Sequence, residues 1–252
     1  MRKLFIYIPV ILVLFISGRF QDKTINVAVA ANAQYAMKEV EAQFEKETGK
    51  NINLIIGSSG KLTAQIKEYA PFDIFLSADM EYPKVLFKEN LTVGEPRVYG
   101  YGSLVLWTMK DIKNLNIKSI LLPEVKTIAI ANPKVAPYGE AAESTMKYYG
   151  FYEKAKARIV YGENISQVTQ YVTTQAADLG FTAKSVVLSP EMAGKGKWID
   201  IDPESYTPID QAAVLLKSYE KRDKETATKF FNYIFSDKAR KIFKKYGYRQ
   251  VK

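Results

Sequence analysis

Cysteine and histidine are both absent from the 252-residue chain. Their absence removes disulfides, cysteine nucleophiles, Ser-His-Asp triads and the usual zinc and copper ligands in one step. Long linkers, low-complexity tracts and short repeats are missing as well. No apolar run reaches the ~20 residues of a membrane-spanning helix. What remains is an ordinary globular composition, 47% hydrophobic and 25% charged, in a length that suits one large or two modest domains.

The chain starts with a basic Met1-Arg2-Lys3, followed by the apolar run Leu4–Gly18, interrupted by Tyr7, Pro9 and Ser17. Polarity returns at Arg19. This order predicts a secretory signal peptide over residues 1–20, cleaved after Gly18 or Phe20, and export to the periplasm. The formal charge is +9. Without Arg2, Lys3 and Arg19, 33 basic residues face 27 acidic ones, a net of about +6. A mild positive field suits an anionic ligand or an acidic surface. For an exported chain it does not point to nucleic acid, and the basic C-terminus "DKARKIFKKYGYRQVK" is read as a solvated helix face.

Periodicity predicts an opening β-α-β-α-β unit. The strands are 25–31, 51–57 and 72–79; the helices are 34–48, stopped by Gly49, and "KLTAQIKEYA". The pattern resumes with strands at 102–109, 127–133, 157–162, 177–183, "KWIDI" and 211–217. Helices are predicted at 141–149 and 165–175, and two closing helices meet at Ser236-Asp237. This implies α/β lobes with parallel strands and right-handed crossovers.

Four of these strands run into turns of small or amide-bearing residues: Ala31-Asn32-Ala33, Gly57-Ser58-Ser59-Gly60, Asn132 to Glu140, and Gly162-Glu163-Asn164-Ile165. In open α/β sheets ligands bind at the carboxyl ends of strands, where helix N-termini offer free N–H groups to anions. "GSSGKLT" (57–63) resembles the end of a phosphate-binding loop, but only two residues separate Gly57 from Gly60, and Leu62 follows Lys61. The G-x-x-x-x-G-K-[ST] spacing fails. Alone, the stretch reads as a helix cap by Ser58 or Ser59, with Lys61 facing solvent. Catalysis has little support. Ser59 has no histidine partner, Asp73, Asp79, Glu140 and Glu163 form no spaced acid/base pair, and the 17 tyrosines form no evident cluster with carboxylates.

The stretches "INVAVAANAQYAMKEVEAQFEKETG", "GSSGKLTAQIKEYAPFDIFLSAD", "IANPKVAPYGEAAESTMKYYG", "YGENISQVTQYVTTQAADLGF" and "KFFNYIFSDKARKIFKKYGY" together resemble the periplasmic molybdate-binding proteins of ABC transporters. The resemblance runs from about Ile25 to Tyr248. It implies a type II periplasmic-binding-protein fold, with two α/β lobes, a central ligand cleft and two hinge crossings. Lobe 1 would hold 24–109 plus 208–252 and lobe 2 would hold 110–207. Carried over residue by residue, the first-turn hydroxyl falls on Asn32 and the second-turn serine on Ser59, with Ser58 and Gly60 beside it. Two backbone N–H contacts fall on Tyr138 and Ile165. The tyrosine that completes the family pattern falls on Ala183, so that donor is absent, and the Tyr138 hydroxyl is a candidate replacement.

The resemblance implies a non-enzymatic, monomeric protein that captures molybdate, and tungstate with it, and delivers the ion to an ABC permease. No cofactor is implied; Mo or W enters only as the oxyanion, with no direct protein ligand. A fully deprotonated oxyanion wants donors and no acceptor, and none of the four matched positions is acidic. The rival readings are a carrier for sulfate or an iron complex, and an exported hydrolase using Ser59.

Overall fold

Each central strand is a short run of branched and small apolar side chains, and each is followed by the turn that its small polar residues make. The computed structural model describes residues 24–218 and 223–250; the leader expected over residues 1–20 lies outside them. Among the described residues no helix is long and apolar enough to cross a membrane.

The first sheet is built from β1 (Ile25–Ala30), β2 (Ile52–Gly57), β3 (Ile74–Leu76), β4 (Arg97–Tyr101) and β10 (Asp210–Leu215), in the order β2-β1-β3-β10-β4. The second holds β5 (Leu104–Thr108), β6 (Ile128–Ala131), β7 (Ile159–Gly162), β8 (Leu179–Ala183) and β9 (Lys197–Asp200), in the order β7-β6-β8-β5-β9. The helices are α1 (Gln34–Thr48), α2 (Ser59–Lys67), α3 (Glu81–Lys88), α4 (Pro137–Tyr148), α5 (Tyr152–Ala155), α6 (Ile165–Thr173), α7 (Lys184–Val187), α8 (Lys224–Ile234) and α9 (Asp237–Lys245). Ser236 caps α9 by accepting from the Ala239 N–H, so the two closing helices meet where expected.

The parallel pairing expected for the opening unit is present: β1 lies between β2 and β3, parallel to both. The sheets as wholes are mixed. In the first, β10 runs antiparallel to β3 and β4; in the second, β5 runs antiparallel to β8 and β9. Both β5 and β10 enter their sheet directly from the other lobe. A strand arriving without a crossover helix is free to run antiparallel. The chain leaves the first sheet after Tyr101 and enters the second at Leu104, and it returns between Asp200 and Asp210. The crossing expected near Met109 therefore falls at Gly102-Ser103, because β5 pairs wholly within the second sheet.

Strand β4 and helices α3, α5 and α7 lie outside the sequence pattern. Strand β4 is short, ends in Tyr-Gly-Tyr and begins on an exposed arginine. Helix α3 carries Pro83, which is tolerated in the first turn, where its missing N–H has no helical partner. The C-terminal helices pack on the first lobe. Phe44 of α1 meets Phe230 of α8 edge-to-face at 4.9 Å, and both rings are buried. Such a pair adds about 0.5–1.5 kcal/mol beyond the area it buries. Helix α1 ends at Gly49, whose φ of +66° and N–H bond to the Glu45 carbonyl make a left-handed cap.

Candidate functional site

The C-terminal ends of β1 and β2 face those of β6 and β7 across the space between the lobes. A small cavity lies there, about 10 Å³, or roughly the space of one water. It is lined by the ends of β1 and β2, the start of α2, Ala78, and the starts of α4 and α6. Among the described residues no charged side chain lines it. A larger opening of about 480 Å³ between α3 and α4 is instead bordered by Asp79, Glu81, Glu140 and Asp210, with Lys84 and Lys88. Four carboxylates make that space a poor host for an anion.

Of the sequence-derived candidates, Asn32, Ser58, Ser59, Tyr138 and Ile165 line the small cavity, and Gly60 and Ala183 do not. Gly60 is part of the lobe contact: its N–H donates to the Val135 carbonyl at 2.9 Å. Ala183 is fully buried at the end of β8. Ala30, Ala31, Gly57, Ala78, Ala136, Pro137 and Asn164 also line the cavity and are not among those candidates, although all but Ala30 and Ala78 fall in the turns singled out in the sequence. Asn164 had a readable signal, since an Asn one residue before an apolar helical run is an N-cap. Its side chain accepts from the Gln167 N–H.

Helix geometry supplies backbone donors. Pro137 opens α4 and has no N–H, so Tyr138 is the first residue of that helix able to donate. Ile165 opens α6. Residues this early in a helix have no intrahelical acceptor for their N–H groups, and the positive end of the helix dipole adds to the pull on an anion. Gly139 lets α4 come close to β6: a Cβ there would stand 2.0 Å from the Ala131 carbonyl oxygen.

The two serines do not behave as caps. Ser58 is at the N-cap position of α2, yet its side chain makes no capping bond. Its Oγ is buried and has no hydrogen-bond partner among the described residues. Ser59 Oγ accepts from the Ala78 N–H at 3.0 Å, which leaves its own proton to donate. Leaving a buried hydroxyl unpaired costs about 1–3 kcal/mol, so the arrangement makes sense for a guest that accepts.

Asn32 and Tyr138 reach into a buried polar cluster. Asn32 Nδ2 donates to Gln211 Oε1 at 2.7 Å. The Tyr138 hydroxyl accepts from Gln211 Nε2 at 3.0 Å. The hydroxyl considered as a replacement donor is thus anchored at the hinge, and this bond leaves its proton unused. Burial holds the phenols of Tyr99 and Tyr138 well above their ordinary range, so both stay neutral. Lys61, expected to face solvent, is half exposed and pairs with Glu163 of the second lobe at 2.8 Å. It is therefore no base for Ser59.

A model of the bacterial extracellular solute-binding proteins matches residues 25–249. The chain belongs to this family. This solute-binding protein is 38% identical to the molybdate-binding protein ModA of Azotobacter vinelandii over 230 residues, 90% of each chain. It is 37% identical to ModA of Rhodobacter capsulatus over 222 residues, 88% of this chain and 86% of that one. The solved structure of the Azotobacter vinelandii periplasmic molybdate-binding protein superposes with a TM-score of 0.85 at 32% identity, covering 90% of this chain and all of the other. The two mixed sheets joined by two crossings are the type II periplasmic-binding-protein fold. Like these relatives, the chain is a solute-binding protein and not an enzyme. Among the described residues no group of acidic side chains is arranged to hold a metal ion.

Proposed function

We propose that this protein captures molybdate, and tungstate with it, in the periplasm and hands the ion to an ABC permease. The observation that carries this reading is the cavity walled by neutral groups from four strand-to-helix turns, two on each lobe, with the Ser58 hydroxyl buried and unpartnered in its wall. Molybdate and tungstate are fully deprotonated near neutral pH and accept on every oxygen. Phosphate retains a proton and rewards a carboxylate acceptor, which this wall lacks.

In this reading the contacts are the Ser58 and Ser59 hydroxyls, the Asn32 side of the first turn, and the N–H groups of Tyr138 and Ile165. The first lobe comprises residues 24–102 with 209–218 and 223–250 and the second 103–208, closing as a monomer about Gly102-Ser103 and the return into β10. The likeness to the two ModA proteins supports the ligand, since their names state molybdate binding. A thermal-shift and calorimetric screen against molybdate, tungstate, sulfate, phosphate and Fe³⁺ tests it. Stabilisation by the first two alone supports the reading; a response to sulfate or Fe³⁺ instead, or to none, refutes it.

A further inference from the structure

Gln211 stands on β10, the strand by which the chain returns across the hinge, and is fully buried. Its carboxamide makes three bonds to three different elements. Oε1 accepts from Asn32 Nδ2 at 2.7 Å and from the Tyr99 hydroxyl at 2.7 Å, and Nε2 donates to the Tyr138 hydroxyl at 3.0 Å. Asn32 belongs to the first lobe and Tyr138 to the second, and both line the cavity. One planar group therefore sets the amide of one wall and the ring of the opposite wall.

The backbone around Gln211 is shaped for this. The register of β10 on β4 steps from Gln211–Gly100 to Ala212–Val98, which leaves Tyr99 as an extra residue in a β-bulge. Bulges re-aim side chains at such places. Gly102, on the outgoing crossing, admits the cluster: a Cβ there would lie 2.2 Å from the Tyr138 hydroxyl and 2.4 Å from Gln211 Nε2. Both hinge strands thus meet at one hydrogen bond.

We infer that Gln211 is a positioning residue for the oxyanion site, coupling the Asn32 turn to Tyr138 through the hinge without touching the ligand. The inference rests on the proposed oxyanion function. A double-mutant cycle reads it: molybdate dissociation constants for wild type, Gln211→Met, Tyr138→Phe and the double variant, with thermal melts of each protein without ligand. Gln211→Met is expected to raise Kd by roughly tenfold, and the two changes together are expected to fall short of their product by about fivefold or more, the scale of direct coupling between touching residues. Kd values that simply multiply, or an unchanged Kd for Gln211→Met, overturn the inference while leaving oxyanion binding intact. Wild-type protein that ignores molybdate and tungstate overturns both. If Gln211→Met does not fold, Gly102→Ala takes its place in the cycle, since it displaces the same bond, and the same two outcomes decide.

Discussion

Removing the Ser58 hydroxyl should move stability and affinity in opposite directions. In the ligand-free protein Ser58 Oγ is buried with no partner, so Ser58→Ala deletes an unpaired polar atom and leaves a methyl of nearly the same shape. The expected gain is about 1–3 kcal/mol of unfolding free energy. In the complex the same hydroxyl would donate to a dianion, a charge-assisted bond worth about 1.5–3 kcal/mol. At 1.36 kcal/mol per decade its loss raises Kd by roughly 10- to 150-fold. Ser59→Ala provides the contrast. Ser59 Oγ is the acceptor for the buried Ala78 N–H, so its removal strands a backbone donor, costing about 1–3 kcal/mol, and weakens binding as well. Urea melts of the ligand-free proteins and calorimetric titration with molybdate measure both quantities. A Ser58→Ala protein that is less stable than wild type and binds molybdate equally well would refute the reasoning, because the hydroxyl would then be serving the fold.

Three other outcomes follow from the geometry. Lys61 and Glu163 bridge the cleft mouth at 2.8 Å while half exposed, and an exposed pair is worth about 0–1 kcal/mol. Lys61→Met should therefore speed molybdate release up to about fivefold at low salt and lose that effect near 0.5 M salt on the order of the shortened Debye length; stopped-flow release rates check this, and an unchanged rate at low salt removes the latch. Burial raises the Asp79 carboxyl from 3.8 to about 6, against the opposing bonds from the Ser77 hydroxyl and the Tyr82 N–H. The folded protein then holds this proton more tightly than the unfolded chain, so stability present below pH ~4 is lost as pH rises through ~6. Asp79→Asn keeps an acceptor for both bonds and should be more stable than wild type by about 1–2 kcal/mol at pH 7.5, after discounting for partial exposure, with the difference gone at pH 4. Melts across that range decide it. Gly139→Ala would drive a Cβ into the Ala131 carbonyl at 2.0 Å, so it should cost about 1–3 kcal/mol and weaken oxyanion binding by displacing the start of α4; a melt and a titration matching wild type would show that α4 has room there.

Much of this site was legible because its signals are local. Strand-to-helix turns announce themselves by period and by small residues, and a turn's neighbours in sequence are its neighbours in space. Period and small residues marked the turns; the family resemblance picked out Asn32, Ser58, Ser59, Tyr138 and Ile165 within them, and these five line one cavity. What failed to show was set by distant partners. Ser58 and Ser59 are equivalent in sequence, and only the approach of Ala78 after β3 makes one an acceptor already in use and the other an orphan. Gln211 sits in an apolar strand pattern, where a glutamine reads as an edge residue. Its partners lie on Asn32, Tyr99 and Tyr138, which the two hinge crossings bring together. Lys61 and Glu163 are 102 residues apart. The bulge that leaves Tyr99 over is a property of two paired strands, and no single-strand period records it.

The neutrality of the wall explains why a chain carrying nine excess positive charges places none of them there. A carrier must give up its cargo as well as bind it. A buried lysine or arginine against a dianion would make a pair that is strongly destabilised when one partner leaves, by about 3–5 kcal/mol, and the empty protein would bear that cost on every cycle. Neutral donors cost less when empty: one unpaired hydroxyl at Ser58 and N–H groups at helix starts that carry no net charge. The positive field of the whole molecule can still guide the anion in, while Lys61 is held at the cleft mouth by Glu163 of the opposite lobe. There its charge can favour lobe closure without lining the site that holds the ion. Moving a positive charge into the wall, as in Ser59→Lys, should on this argument destabilise the ligand-free protein. It should also slow molybdate release far more than it speeds capture, so that binding improves while transport turnover falls. A variant that binds more tightly and also sustains faster uptake in a reconstituted permease system would show that neutrality is not what sets the release rate.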